Sequence, residues 1–177
     1  MLVGGVVGSG KSTVAAALAD AAHGVRLSSD RVRKHQLGLA PNEHAPVDAY
    51  SDASRSRIYA ALLERAGLVV GSGRSAMLDA TFASASERER ALAWARERGV
   101  EAEFVEVRCP RGLALERLAR REARGGDPSD AGPARWQASA DAFEPLDAWT
   151  GGHAVIHTDR SDWRRSVETL AAHLAPS

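Results

Sequence analysis

Short apolar runs alternate along the chain with longer amphipathic or alanine-rich stretches. The apolar runs predict strands near residues 2–7, 25–28, 75–79, 103–108 and 153–157, and the stretches between them predict helices near 11–22, 30–37, 51–70, 85–98, 111–123, 132–143 and 161–174. Strands buried on both sides and separated by helices predict an α/β fold with a five-stranded parallel sheet flanked by helices. Ser161-Asp162 is placed to cap the last helix. Two breaks interrupt the pattern. Leu39 to Asp48, with Pro41 and Pro46, has no period and reads as a loop, and Arg124-Gly125-Gly126-Asp127-Pro128-Ser129-Asp130 reads as a polar turn whose Ser and Asp residues suit the cap of the following helix.

The first strand runs into Gly5-Val6-Val7-Gly8-Ser9-Gly10-Lys11-Ser12, a complete G-x-x-x-x-G-K-S, followed by the helix-forming run from Thr13 to Ala22. Strand, glycine-rich loop and helix is the setting in which this motif cradles phosphate. The amides of Gly8, Ser9, Gly10, Lys11, Ser12 and Thr13 then surround a phosphate at the positive end of the helix dipole. Lys11 reaches the β- and γ-phosphates and the Ser12 hydroxyl takes a Mg²⁺ position. Thr13 either reaches the α-phosphate or is an ordinary first-turn residue. Of 23 basic residues only Lys11 and Lys34 are lysines, and Lys11 stands where the wide fork of arginine is a poor substitute for a compact ammonium.

Composition narrows the reading. At 177 residues with 44% hydrophobic content and zero net charge, the chain reads as a single domain over residues 1–177, with a lid near 112–132. The charge balance argues against a nucleic-acid binder. No apolar run reaches membrane length and no basic segment precedes an apolar one at the start, so the expectation is a cytoplasmic protein, monomer or weak dimer. Cys109 alone excludes an internal disulfide and reads as a buried thiol. Trp94, Trp136, Trp149 and Trp163 read as packing residues, and His153 and His157 carry no metal-ligand spacing for a strand.

In open α/β sheets ligands bind at the carboxyl ends of the strands. After the second strand comes Ser28-Ser29-Asp30-Arg31-Val32-Arg33, in which Asp30 and Arg33 share one face of a first helical turn. A carboxylate beside a cation can take a proton from a hydroxyl and orient it, or Asp30 can simply cap the helix. After the third strand, Asp79 stands at the place of a Mg²⁺ or substrate ligand, with Thr81 beside it. The helix near 111–123 carries Arg117, Arg121 and Arg124 on one face before the Gly125-Gly126 break, either a solvated face or arginines that close over a phosphoryl group. Thr158 to Ser161, after the last strand, is a loop or an adenine contact.

These motifs together, GxxxxGKST, SSDxxR, the LDAT strand end and ERLARR-x-x-RGGDPSD, resemble the small P-loop kinases. That group includes gluconate-type and shikimate-type kinases, chloramphenicol phosphotransferase, zeta-toxin-like proteins, polynucleotide 5′-kinase domains and bacterial kinase domains fused behind an aminoglycoside-phosphotransferase-like domain. The resemblance implies a P-loop NTPase fold with a helical lid, ATP and Mg²⁺, and phosphoryl transfer to the hydroxyl of a small polar metabolite. It implies Asp30 as general base, Arg33 orienting the acceptor, Asp79 and Thr81 near acceptor and metal, and Arg117 and Arg121 as catalytic lid arginines beside Lys11. The chain has Val7 where many relatives have Pro, and Ser28-Ser29-Asp30 lacks the first acid of the shikimate-type D-x-D, which shifts metal duty to Ser12 and Asp79. The alternatives are a polynucleotide 5′-hydroxyl kinase and a nucleotide-dependent switch or ATPase without an acceptor.

Overall fold

The computed structural model describes residues 1–125, 129–147 and 149–174. Gly126, Asp127 and Pro128, part of the expected hinge and lid, lie outside the described residues. The elements in chain order are β1 (Leu2–Gly4), α1 (Lys11–Ala21), β2 (Val25–Ser28), α2 (Ser29–Gln36), α3 (Asp52–Gly71), β3 (Ala76–Asp79), α4 (Ala85–Glu97), β4 (Glu103–Arg108), α5 (Arg111–Arg124), α6 (Trp136–Asp141), β5 (Gly152–His157) and α7 (Trp163–Ala172). Single 3₁₀ turns cover Val47–Tyr50 and Pro133–Arg135. The strands form one five-stranded parallel sheet, as the alternation predicts, and its order is β2-β3-β1-β4-β5.

Alternate strand residues point to opposite faces. Val3, Met77, Val105, Val107 and Ile156 face α1 and α7, packing on Val14, Leu18 and Val167. Leu2, Leu78 and Phe104 face the other way, packing on Val32, Ile58, Leu62 and Ala91 of α2, α3 and α4. Each face is therefore covered, which is what lets a parallel sheet carry apolar side chains on both sides.

Three expectations change. β1 stops at Gly4, because Gly5 turns to φ 137° and gives its N–H to the Thr81 carbonyl at 3.0 Å, so Val6 and Val7 belong to the loop. A Cβ on Gly5 would stand 2.4 Å from the Val107 carbonyl, so only glycine passes that close to β4. The helix expected over 132–143 is a 3₁₀ turn plus the six-residue α6, since Pro133 opens it and the chain is then drawn onto the loop after β3. There Glu144 N donates to the Ala83 carbonyl at 2.9 Å, and Ala85 N donates to the Glu144 carboxylate at 2.6 Å. Asp162 occupies the N-cap position of α7 without a side-chain cap, and Asp130 caps nothing.

Candidate active site

The carboxyl ends of β1, β2 and β3 bring the phosphate loop, Asp30 and Asp79 together. Register pairs Ser28 with Asp79 across β2 and β3, and Val3 with Asp79 across β1 and β3. Gly10 holds a left-handed conformation, φ 98°, and its carbonyl accepts from Thr13 N and Val14 N, which starts α1 straight after the glycine-rich loop. The Ser9 hydroxyl is buried without a partner, a polar atom awaiting one. Ser12 and Thr13 are exposed on the first turn of α1.

The Lys11 ammonium donates to the Val6 carbonyl at 2.9 Å. Burial pushes its pKa down. The Asp79 and Asp30 carboxylates pull it back up, and Arg121 adds to the depression. Those influences put four of the residues expected from sequence within one electrostatic neighbourhood. Asp30 is joined to Arg33, Oδ1 to Nη1, at 2.6 Å. Thr81 lies beneath the loop, its hydroxyl 3.3 Å from the Tyr59 hydroxyl.

Asp79 is 4% exposed and has a partner that sequence reasoning missed. Arg26 of β2 gives Nε at 3.0 Å and Nη2 at 2.6 Å, both to Oδ2. Arg26 and Ser28 alternate onto the α1 side of the sheet, and Arg26, Ser12 and Thr13 line one open groove. Among the described residues no three acidic, histidine or cysteine groups gather as a metal site. If Mg²⁺ accompanies the nucleotide phosphates here, the Ser12 hydroxyl and the Asp79 carboxylate, which Arg26 engages through one oxygen, would be the residues to hold it.

The two arginines of α5 have different surroundings. Arg117 gives Nη1 to the Ser9 carbonyl at 3.2 Å and to the Thr158 hydroxyl at 2.7 Å, and Nη2 to the Thr158 carbonyl at 3.0 Å. Thr158 in turn donates to the Ser9 carbonyl at 2.7 Å. Arg117 thus fastens the phosphate loop to the end of β5. Arg121 bonds the Ala131 carbonyl and acts electrostatically on Lys11. The N–H of Val7 donates to Ser139 Oγ of α6 at 3.1 Å, so α6 closes the loop from above. Cys109 is half-buried, with its thiol 3.8 Å from the Gly8 carbonyl and its pKa pushed up by burial against the pull of Arg117. Trp94 and Trp149 pack on one core cluster and Trp163 on the other, as expected of packing residues, while Trp136 lies under Arg111.

The AAA_33 family, described as an AAA domain, matches residues 1–146. The chain belongs to this family. It is 34% identical over 159 residues to the uncharacterized protein Rv2004c of Mycobacterium tuberculosis H37Rv, covering 87% of this chain and 30% of that protein, so the chain spans less than a third of its curated relative's length. A sugar kinase from Janibacter sp. HTCC2649 has the same fold, with a TM-score of 0.70, 18% identity and coverage of 99% of this chain and 97% of that one. Kti12 of Chaetomium thermophilum, solved with ADP-AlF3, aligns with a TM-score of 0.71, 19% identity and coverage of 99% and 98%. The family match and the phosphate loop make nucleotide binding the property this AAA_33 member shares with its fold relatives. No helix among the described residues is long and apolar enough to cross a membrane.

Proposed function

We propose that the chain transfers the γ-phosphoryl group of ATP to a hydroxyl of a small polar metabolite. The observation that carries this reading is the Asp30–Arg33 pair, 2.6 Å apart at the start of α2, whose carboxylate acts electrostatically on the Lys11 ammonium of the phosphate loop. A switch or simple ATPase needs the loop and has no use for a held carboxylate near it. Phosphoryl transfer needs little covalent help and much positioning. In this reading Lys11 and the loop amides hold the phosphates, Ser12 and Asp79 hold the magnesium, and Asp30 takes the proton from the acceptor hydroxyl. Arg33 keeps Asp30 aimed, and Thr81 borders the acceptor. Arg121 steadies charge on the transferring group, and Arg117 keeps the loop in shape. Magnesium supplies neutralisation of phosphate charge when bound.

The test is ADP release from ATP and Mg²⁺ across a panel of sugars, sugar acids, polyols, aminoglycosides and 5′-hydroxyl oligonucleotides. At least one small hydroxyl compound is expected to stimulate release. Lys11→Ala, which removes a charged phosphate contact worth about 1.5–3 kcal/mol, is expected to weaken ATP binding at least tenfold. Stimulation by oligonucleotide ends alone would select the polynucleotide reading. Slow hydrolysis indifferent to every compound would select the switch.

A further inference from the structure

The second lysine of the chain is more deeply buried than the first. Lys34 is 2% exposed, on α2 one turn after Asp30, and its ammonium lies 3.1 Å from Asp130 Oδ1 and 3.0 Å from the Pro41 carbonyl. Asp130, in the segment that follows α5, is surrounded by partners from the acceptor side of the molecule. The Tyr50 hydroxyl donates to its Oδ2 at 2.5 Å, the Ala45 N–H to the same oxygen at 3.0 Å, and His44 Nδ1 stands 3.2 Å from Oδ1. Burial works against the Asp130 carboxylate, yet the bonds from Tyr50, Ala45 and Lys34 hold it below the ordinary range.

The Tyr50 ring extends this arrangement to the site. Arg33 lies 4.5 Å from its centroid and Arg135 lies 4.2 Å from it. Arg33 is 7% exposed and is the residue that grips Asp30. On the other side, Arg121 of α5 bonds the carbonyl of Ala131, next to Asp130. A continuous set of contacts therefore runs from Arg121, through residues 130–131, to Tyr50, Arg33 and Asp30. Sequence gives no reason for it, since Asp130 and Tyr50 are 80 positions apart.

We propose that Asp130 is a positioning residue: acting through Tyr50, it fixes Arg33 and hence Asp30, so that nucleotide seated under α5 orders the acceptor side before any acceptor arrives. The proposal rests on the kinase reading above. It assigns Asp130, Tyr50 and Lys34 to coupling between the two halves of the site. A mere structural staple would stabilise the fold equally with and without nucleotide. A coupling element must change the response to nucleotide.

The test is hydrogen exchange of the full chain with and without the non-hydrolysable analogue AMP-PNP and Mg²⁺, with analogue affinity measured separately by displacement of a fluorescent nucleotide. Tyr50→Phe keeps the ring against Arg33 and removes only the hydroxyl bond to Asp130. The double variant Lys34→Met, Asp130→Asn removes the ion pair without leaving one charge buried alone, and covers the case in which a single change fails to fold. In the wild type, exchange across residues 39–50 is expected to slow by about threefold or more on analogue binding. In both variants that slowing is lost while analogue affinity stays within about twofold. Equal slowing in wild type and variants overturns the proposal, leaving Asp130 a staple. No slowing in wild type with analogue bound overturns it as well. Failure of the analogue to bind at all overturns the kinase reading, and this proposal with it.

Discussion

Tyr59 serves the site with one hydroxyl and a buried ring. Its oxygen accepts the Phe82 N–H at 2.9 Å and stands 3.3 Å from the Thr81 hydroxyl, while the ring packs edge-on against Phe82 at 5.0 Å. Phe82 has φ 47°, a left-handed value a bulky residue adopts only when its surroundings impose it. Arg88, 2% exposed, completes the hold with bonds to the carbonyls of Phe82, Ala83, Glu144 and Pro145. Tyr59→Phe keeps the packing and strands the buried Phe82 N–H, at a cost of about 1–3 kcal/mol. Urea unfolding is expected to show a lower midpoint with unchanged slope. An unchanged midpoint would mean that the N–H finds another partner.

α5 is where sequence and structure differ most in detail. The spacing puts Arg117 and Arg121 one turn apart on one face, and both were candidates for the transferring phosphate. Their contacts divide the work. Arg117 is occupied by Ser9 and Thr158, and Arg121 bonds the Ala131 carbonyl and acts electrostatically on Lys11. Arg117→Ala is therefore expected to weaken ATP binding by about tenfold through a loosened phosphate loop. Arg121→Ala is expected to lower turnover by about 10²-fold or more with smaller loss of ATP affinity, since charge grows on the transferring group. Arg121→Lys is not expected to restore it if the contact is a fork. Binding and single-turnover rates measured on the three variants check the division, and identical losses in both parameters for Arg117 and Arg121 would refute it.

Across the whole molecule, what sequence made legible was local. The phosphate loop is contiguous, the Asp30–Arg33 pair is set by helical spacing, and the succession of strands and helices follows from alternating periods. What it hid was set by long-range placement. Arg26 meets Asp79 across 53 positions because their strands are neighbours, and Tyr50 meets Asp130 across 80. Neither pair has a period or a spacing from which to be read. The short α6 was hidden for another reason: its composition favours helix, and tertiary bonds from Glu144 to the loop after β3 override that preference. Together the local and long-range contacts gather Asp30, Asp79 and the phosphate loop at the carboxyl ends of the central strands, and the proposal gives Asp30 the acceptor's proton. The most direct measurement is single-turnover transfer from ATP to the acceptor found by the panel, comparing wild type with Asp30→Asn at equal ATP occupancy. The substitution keeps the shape of the side chain and removes its basicity. Turnover is expected to fall by roughly 10²–10⁴-fold with ATP affinity unchanged. Wild-type turnover in Asp30→Asn would contradict a base at this position and return Asp30 to a merely structural partner of Arg33.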